Sequence, residues 1–175
     1  MSRVFIVRHG EAEKAPGQSA EDLFSVAPDP PLSARGLAQA QRARDALAGE
    51  DVRAVVASPA RRAMETARAV AQPHGLVVKP DPRLAELSLP GATYDEVLAR
   101  ILELPERLRE DEALFARERA RFAEAIREVA EVHPTSVVVA HGLSNRAFLC
   151  ALRGIPLDEM LTIPMDHASV TRIDV

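Results

Sequence analysis

The chain has 175 residues, of which 47% are hydrophobic and 27% charged, and its formal net charge is −4. This length and composition fit one globular domain with a full hydrophobic core, so we expect residues 1–175 to form a single domain. The acidic balance excludes a general nucleic-acid surface, which needs a basic face. The single cysteine, Cys150, excludes a disulfide framework and a thiolate metal cluster.

The sequence predicts neither a secretory leader nor a membrane partner. Its first residues enter an apolar strand pattern almost at once, without the charged and long apolar segments of a signal peptide. No apolar run approaches the roughly 20 residues that a membrane-spanning helix requires. We therefore expect a soluble cytoplasmic protein.

The first third of the chain alternates strand and helix patterns. Residues 3–8 are apolar on both sides, which is typical of a central parallel strand. Residues 12–31 contain four prolines and predict a long irregular loop, a kind of segment that is usually functional or mobile. Ser33 then predicts the N-cap of a helix that runs to about Leu47 and is ended by Gly49.

A second strand and helix follow. The strand is predicted over about residues 52–57, and Ser58 and Pro59 after it predict an N-cap and a first helical position. This helix should continue to about His74, where Gly75 ends it. Residues 76–79 predict one further short strand.

The rest of the chain predicts three helices and two strands. Two amphipathic helices come first, the earlier one marked by Val97, Leu98, Ile101 and Leu102 and the later one by Phe115, Phe122, Ile126 and Val129. A strand over 136–140, a helix over 143–153 and an edge strand over 169–173 complete the pattern. The alternation predicts an α/β fold with a mostly parallel sheet covered by helices on both faces. The C-terminal edge strand offers a surface through which a homodimer could form.

Two of the predicted strands each deliver a histidine and a glycine at their carboxyl end. His9 follows the first strand and His141 follows the strand over 136–140. Ligands of open α/β sheets bind beyond the carboxyl ends of the strands. Arg8 should reach the same edge, together with Arg62 or its neighbour Arg61 from the helix after the second strand.

These residue types suit phosphoryl transfer. A phosphoryl group in transfer spreads negative charge over three oxygens, which two arginines and a protonated histidine can hold. A neutral imidazole could attack phosphorus, and a carboxylic acid could protonate the departing oxygen. A metal hydrolase is the competing interpretation. It is disfavoured because the histidines lack the spacing of a helix-borne zinc site and because the arginines would repel a cation.

The motifs around these residues resemble those of the histidine phosphatase superfamily, which includes phosphoglycerate mutases and histidine acid phosphatases. Five matching blocks occur in the family's order and span most of the chain. They are RHGE at 8–11, DPPLSARGLAQA at 29–40, SPARRAMETA at 58–67, LAEL at 84–87 and VAHG at 139–142. The resemblance implies a three-layer, phosphoglycerate mutase-like fold.

The resemblance also implies a role for each matched residue. His9 would become phosphorylated, while Arg8, Arg62 and His141 would hold the phosphate oxygens. Glu86 would protonate the leaving group and then activate the water that hydrolyses the phosphohistidine. No metal or other cofactor would be required.

Some neighbouring residues have alternative roles. Arg61 competes with Arg62 for the site. Asp95 or Glu96 could approach it in place of Glu86. Glu11 is expected to fix the loop that follows the first histidine. His167 could reach the rim of the site from the C-terminal segment, although we interpret it as structural.

The substrate is less well defined by the motifs than the reaction. Ala12 and Ala15 stand where many family members have a threonine and an asparagine, as in the branch that includes protein phosphohistidine phosphatases. We predict a phosphatase that hydrolyses phosphate monoesters or phosphohistidine, on a phosphorylated small molecule or a phosphohistidine protein. The alternatives are a mutase-type phosphoryl transfer and a non-catalytic phosphate-binding module. Only two helices are predicted between Glu86 and Val137, which favours hydrolysis over the mutase.

Overall fold

A five-stranded sheet forms the centre of the computed structural model, which describes residues 1–13, 29–86 and 112–175. The order of its strands is β3-β2-β4-β1-β5. Neighbouring strands are parallel except β5, which is antiparallel to β1. The strands are β1 (Arg3–Arg8), β2 (Ala54–Ala57), β3 (Lys79–Pro80), β4 (Thr135–Ala140) and β5 (Val170–Asp174). The predicted α/β class with a mostly parallel sheet is confirmed.

Four α-helices are found in the part of the chain that the structure describes. They are α1 (Ala34–Leu47), α2 (Arg61–Ala71), α3 (Glu112–Val132) and α4 (Gly142–Arg153), and short 3-10 turns cover Gln72–His74, Pro82–Leu84 and Leu157–Thr162. None of the helices described is long and apolar enough to cross a bilayer. The amphipathic helix predicted around residues 97–102 and most of the predicted loop at 12–31 lie outside the described residues.

Alternate side chains of β1 enter two hydrophobic clusters on opposite faces of the sheet. Val4 and Ile6 pack with residues of α3 and α4, such as Phe122. Phe5 and Val7 belong to the other cluster, with residues of α1 and α2. Burying such a side chain contributes about 1.5–3 kcal/mol, which explains why this strand is apolar on both sides. The helices on both faces make the three layers that were predicted.

Two predicted element boundaries are wrong. Helix α2 begins at Arg61 with Ala60, and not Ser58, at the N-cap position. The Ser58 hydroxyl lies before the helix, where it accepts from the backbone N–H of Ala60 at 3.3 Å and lies 2.8 Å from Nε2 of His141. The strand predicted over 76–79 shrinks to the two residues of β3. The backbone N–H of Leu76 bonds to the end of α2 (3.3 Å) and so does not join the sheet.

Other helix boundaries agree with the predictions. Ser33 caps α1, and its side chain accepts a hydrogen bond from the backbone N–H of Gly36 at 3.0 Å. Gly75 and Gly154 end their helical segments in the left-handed conformation, both with φ of 65°. Glycine adopts this conformation without the steric cost that a Cβ imposes.

The carboxyl ends of the parallel strands are aligned. Arg8, the last residue of β1, is paired with Ala140, the last residue of β4. The backbone N–H of His9 donates to the Ala140 carbonyl at 2.9 Å, and the chain leaves β2 at Ser58 beside them. His9 and His141 therefore leave the sheet side by side.

Candidate active site

His9 is buried and its tautomer is fixed by two contacts. Its Nδ1 lies 2.7 Å from the carbonyl oxygen of Gly10, which can only accept, so Nδ1 carries the proton. Its Nε2 receives a hydrogen bond from Nε of Arg62 at 3.2 Å, and a guanidinium can only donate. The lone pair of Nε2 therefore faces the Arg62 guanidinium.

The surroundings of His9 keep its imidazole neutral. Burial lowers the pKa of His9 well below its usual value of 6.5, and the nearby His141, Arg62 and Arg8 lower it further. The hydrogen bond to the Gly10 carbonyl acts in the opposite direction but is outweighed. The neutral form is the one that can attack an electrophile.

His141 lies beside His9, with their ring centroids 5.1 Å apart and the rings inclined at 68°. Its Nδ1 is 3.3 Å from Nη2 of Arg62 and its Nε2 is 2.8 Å from the Ser58 hydroxyl. Because arginine only donates, Nδ1 accepts and Nε2 donates to Ser58. Burial, followed by Arg62 and Arg8, lowers the pKa of His141 well below 6.5. The fold therefore favours the neutral imidazole of His141. A protonated His141 that holds a phosphate oxygen stays a prediction.

Arg62 joins the two histidines from the first turn of α2. Its side chain is only 12% exposed, and its Nη1 lies 3.5 Å from a carboxylate oxygen of Asp29. The neighbouring Arg61 has a 57% exposed side chain and pairs with Glu65 at 2.9 Å. The structure thus brings Arg62, and not its competitor Arg61, to the two histidines.

Arg8 reaches the C-terminal segment. Its Nη1 donates to the carbonyl oxygen of Met165 at 2.6 Å, and its Nη2 lies 3.1 Å from Nε2 of His167. The ring of His167 is 5.8 Å from that of His9, centroid to centroid. Sequence reasoning interpreted His167 as structural, since no local pattern shows that the segment before β5 folds back onto the end of β1.

The Glu86 carboxylate contacts the N-terminus of α4, the helix that begins directly after His141. Its carboxylate accepts from the backbone N–H of Ser144 at 2.9 Å, from the Ser144 hydroxyl at 2.8 Å and from the N–H of Leu143 at 3.3 Å. The positive end of the helix dipole favours a carboxylate at this position. Its competitors Asp95 and Glu96 lie outside the described residues.

Arg121 of α3 holds the backbone that leads to Glu86. Its Nη2 donates to the carbonyl oxygen of Ala85 at 3.0 Å, and its Nη1 donates to the carbonyl of Arg83. The same guanidinium forms an ion pair with Glu118 one turn earlier on α3. Sequence reasoning missed this residue because one arginine on an amphipathic helix looks like any other charged surface position.

The loop after His9 packs directly on α1. A Cβ on Gly10 would lie 2.6 Å from the Gly36 carbonyl oxygen, and a Cβ on Gly36 would lie 1.9 Å from that of Glu11. The Gly10 N–H donates to the Thr66 hydroxyl at 3.0 Å. The Glu11 carboxylate accepts from the Ser33 hydroxyl at 3.1 Å, in agreement with its expected role in fixing this loop.

The residues that were expected to set the substrate are only partly described. Ala12 pairs with Leu32 in an isolated antiparallel bridge, and Ala15 lies outside the described residues. Within the described ranges, no group of three or more His, Cys, Asp or Glu side chains is placed to hold a metal ion.

The fold and this site define a class: α/β proteins with two histidines and two arginines at the carboxyl ends of parallel strands, arranged for an anionic group. A sequence model of the histidine phosphatase superfamily (branch 1) matches residues 4–175. The chain belongs to this superfamily, which confirms the resemblance read from its motifs.

Several relatives are similar over different lengths. An uncharacterized protein of Mycobacterium tuberculosis is 46% identical over 85 residues, which cover 49% of this chain and only 40% of that relative. Phosphoserine phosphatase 1 of Hydrogenobacter thermophilus is 30% identical, with 99% of this chain and 86% of that protein covered. Among solved structures, the mycobacterial glucosyl-3-phosphoglycerate phosphatase in complex with VO3 has a TM-score of 0.74 at 26% identity, with 99% and 93% covered.

Proposed function

We propose that this protein is a metal-independent phosphatase that hydrolyses phosphate monoesters through a phosphohistidine on His9. One observation carries the proposal: the Nε2 lone pair of a buried, neutral His9 lies 3.2 Å from the Arg62 guanidinium, in a site that also holds His141. The relatives named as phosphoserine and glucosyl-3-phosphoglycerate phosphatases support the same class of reaction.

The arginines bind the phosphoryl oxygens. The planar guanidinium of Arg62 can bridge two oxygens, and Arg8 adds a second permanent charge beside His9. The fold favours the neutral form of His141. A bound dianion favours its imidazolium form, since opposite charges stabilise each other in a buried site. Binding of the substrate thus supplies the charge that makes His141 a third donor to phosphate.

The chemistry proceeds in two displacements. In the first, Nε2 of His9 attacks phosphorus, a P–N bond forms and the P–O bond to the alcohol breaks. Glu86 gives a proton to the departing oxygen. In the second, the Glu86 carboxylate takes a proton from water, whose oxygen attacks phosphorus while the P–N bond breaks. His9 returns to the neutral tautomer with Nδ1–H on the Gly10 carbonyl.

The substrate class proposed is a phosphorylated small molecule. A phosphohistidine protein, suggested by Ala12 and Ala15, stays a prediction to be tested beside it. A cytoplasmic location, the single-domain organisation and pairing of two copies along β5 also stay predictions.

The Glu86→Gln variant tests the mechanism. Its amide oxygen can still accept from Ser144, but it cannot deliver or take the proton. With p-nitrophenyl phosphate, whose phenolate leaves without a general acid, phosphorylation should still proceed while hydrolysis stalls, so the phosphorylated enzyme should accumulate. Brief incubation with a phosphate monoester should leave an acid-labile, base-stable phosphoryl group, and mass spectrometry of peptides kept at alkaline pH should locate it on His9. Two further variants serve as controls, both made in the Glu86→Gln protein. Adding His9→Asn should abolish labelling, whereas adding His133→Asn should leave labelling unchanged. An unlabelled Glu86→Gln protein would sink the mechanism.

A substrate panel separates the alternatives. It should include phosphosugars, nucleotides, 3-phosphoglycerate and phosphohistidine peptides, with release of inorganic phosphate as the readout. Isomerisation of phosphoglycerate as fast as its hydrolysis would favour the mutase. Phosphate binding without any labelling of His9 would favour the non-catalytic binding module.

A further inference from the structure

The segment just before β5 holds the Arg8 guanidinium through two successive groups. The Met165 carbonyl accepts from Nη1 at 2.6 Å, and Nε2 of His167 lies 3.1 Å from Nη2. Because a guanidinium has donors only, Nε2 must accept, and the proton of a neutral His167 must lie on Nδ1. The contact therefore requires the uncharged imidazole.

The backbone next to His167 is constrained in the same place. Ala168 has φ of 59°, in the left-handed region that a residue with a Cβ rarely adopts. Its N–H is shared by the carbonyl oxygens of Arg8 at 3.0 Å and His9 at 3.3 Å. Such strain persists where surrounding contacts fix the conformation, and it is concentrated at functional sites. Here it ties the His167 backbone to the two residues that open the site.

Arg8 is also restricted by the start of α4. A Cβ added to Gly142 would lie 3.2 Å from Nε of Arg8, so the guanidinium lies against the glycine that follows His141. With Met165 and His167 on its Nη atoms, the guanidinium is contacted by two separate segments of the chain. Its orientation beside His9 thus depends on both.

We propose that His167 is a positioning residue for Arg8: its neutral imidazole accepts the Nη2–H and fixes the orientation in which the guanidinium meets the phosphoryl group. The inference rests on the proposed function, since it gives Arg8 the phosphoryl oxygens as ligands. His167 acts through Arg8 and is not itself placed in contact with the substrate.

The charges around His167 support its neutral state. Burial and then Arg8 lower the pKa of His167, and Arg35 of α1 lowers it further. Glu11 and Asp166 act in the opposite direction but do not reverse the shift. His9, whose ring lies 5.8 Å from that of His167, is itself held neutral by its surroundings.

A pair of variants at His167 tests the role. His167→Gln places an amide oxygen near the position of Nε2 and keeps an acceptor for Arg8, whereas His167→Leu removes it. We expect the Kd of inorganic phosphate, measured by calorimetry at pH 7.5, to rise about tenfold in His167→Leu, as for a lost hydrogen bond to a charged group, and less than threefold in His167→Gln. Equal losses in the two variants would overturn the proposal.

A double-mutant cycle shows whether the effect passes through Arg8. In an Arg8→Met background, His167→Leu should change the Kd of phosphate less than twofold, because the contact is already gone. The full tenfold loss in that background would mean that His167 acts directly or structurally, and the proposal would be wrong. His167→Leu should likewise lower kcat/KM for p-nitrophenyl phosphate in the wild-type background and change it little in the Arg8→Met background.

A measurement on the wild-type protein needs no variant to fold. The ¹⁵N shifts of the His167 ring at pH 7.5 should show a protonated Nδ1 and an unprotonated Nε2, and the opposite tautomer would refute the proposal. A wild-type protein that binds no inorganic phosphate would overturn both the proposed function and this inference. If the wild-type protein binds phosphate and is labelled on His9, but the effects of His167→Leu and Arg8→Met are additive, the proposed function stands and only this inference is overturned.

Discussion

Arg62 donates its Nε–H to Nε2 of His9 across 3.2 Å, while the other ring nitrogen of His9 is bonded to the Gly10 carbonyl. The nitrogen that carries the lone pair is thus decided before a substrate arrives. The donor that fixes it is also a permanent cation, which is suited to the oxygens of a phosphoryl group. Preorganisation of this kind removes the need for a ring rotation or a proton shift before attack.

Arg62 and Arg61 form a matched pair for mutation. Arg62→Lys loses the fork that contacts both histidines, and we expect kcat/KM for a phosphate monoester to fall about 100-fold, as when one preorganised donor is removed. Arg61→Lys, at a 57% exposed side chain, should stay within twofold of wild type. Steady-state kinetics on the two variants decides the matter, and a larger loss in Arg61→Lys would contradict the site described above.

The buried histidines should make the protein less stable in mild acid. The fold lowers the pKa of His9, His141 and His167, whereas the unfolded chain protonates all three below about pH 6.5. Below that pH the unfolded state binds more protons than the folded state. The free energy of unfolding therefore decreases as the pH is lowered, by up to about 1.4 kcal/mol per pH unit for each histidine that stays neutral in the folded protein.

Urea unfolding at pH 7.5 and 5.5 measures this dependence. Replacing His9 by Gln, which does not titrate, should make the loss of stability between the two pH values smaller. Equal stability of the wild-type protein at both pH values would show that these histidines are not held neutral by the fold.

The close approach of the His9 loop to α1 predicts a strict requirement for glycine. In Gly10→Ala the new methyl group would meet the Gly36 carbonyl at 2.6 Å, and we expect about 1–3 kcal/mol of destabilisation together with loss of activity as His9 shifts. Gly49→Ala is the control, because nothing lies within 4 Å of its added Cβ. Chemical denaturation of both variants checks this, and equal effects would argue against the packing.

Arg121 is predicted to position Glu86 through the backbone that precedes it. Arg121→Met removes the donors to the Ala85 and Arg83 carbonyls, and we expect kcat to fall about tenfold, of the order expected for a general acid that is no longer held in place. The control is Arg127→Met on the same helix, where the arginine is 67% exposed and pairs with Glu131 in a surface contact of 3.7 Å.

The rate of phosphohistidine hydrolysis gives a second readout for Arg121. If the residue positions Glu86, its loss should slow the decay of the labelled enzyme as well as its formation, since Glu86 serves both steps. An unchanged decay with a lower melting temperature would mean that Arg121 only stabilises the fold.

Much of the scaffold was predictable because its signals are local. The strand before His9 is apolar on both sides, Ser33 caps the helix after the proline-rich segment, and Gly154 stops α4. Each of these features depends on a few consecutive residues and on backbone sterics. The third strand was mispredicted because its extent depends on pairing with β2, which ends after two paired positions.

The sequence by itself determined the chemistry that the site contains: two histidines after apolar strands, arginines beside them, and a matching order of motifs. The motifs already favoured Arg62 over Arg61. Only the tertiary structure showed that Arg62 contacts both histidines, which ring nitrogens carry protons and that His167 contacts Arg8. Those contacts join residues 53, 79 and 159 positions apart. These contacts depend on strand register and on the path of the chain around the edge of the sheet. The direction of each hydrogen bond is set by the partner that this path brings within 3.3 Å.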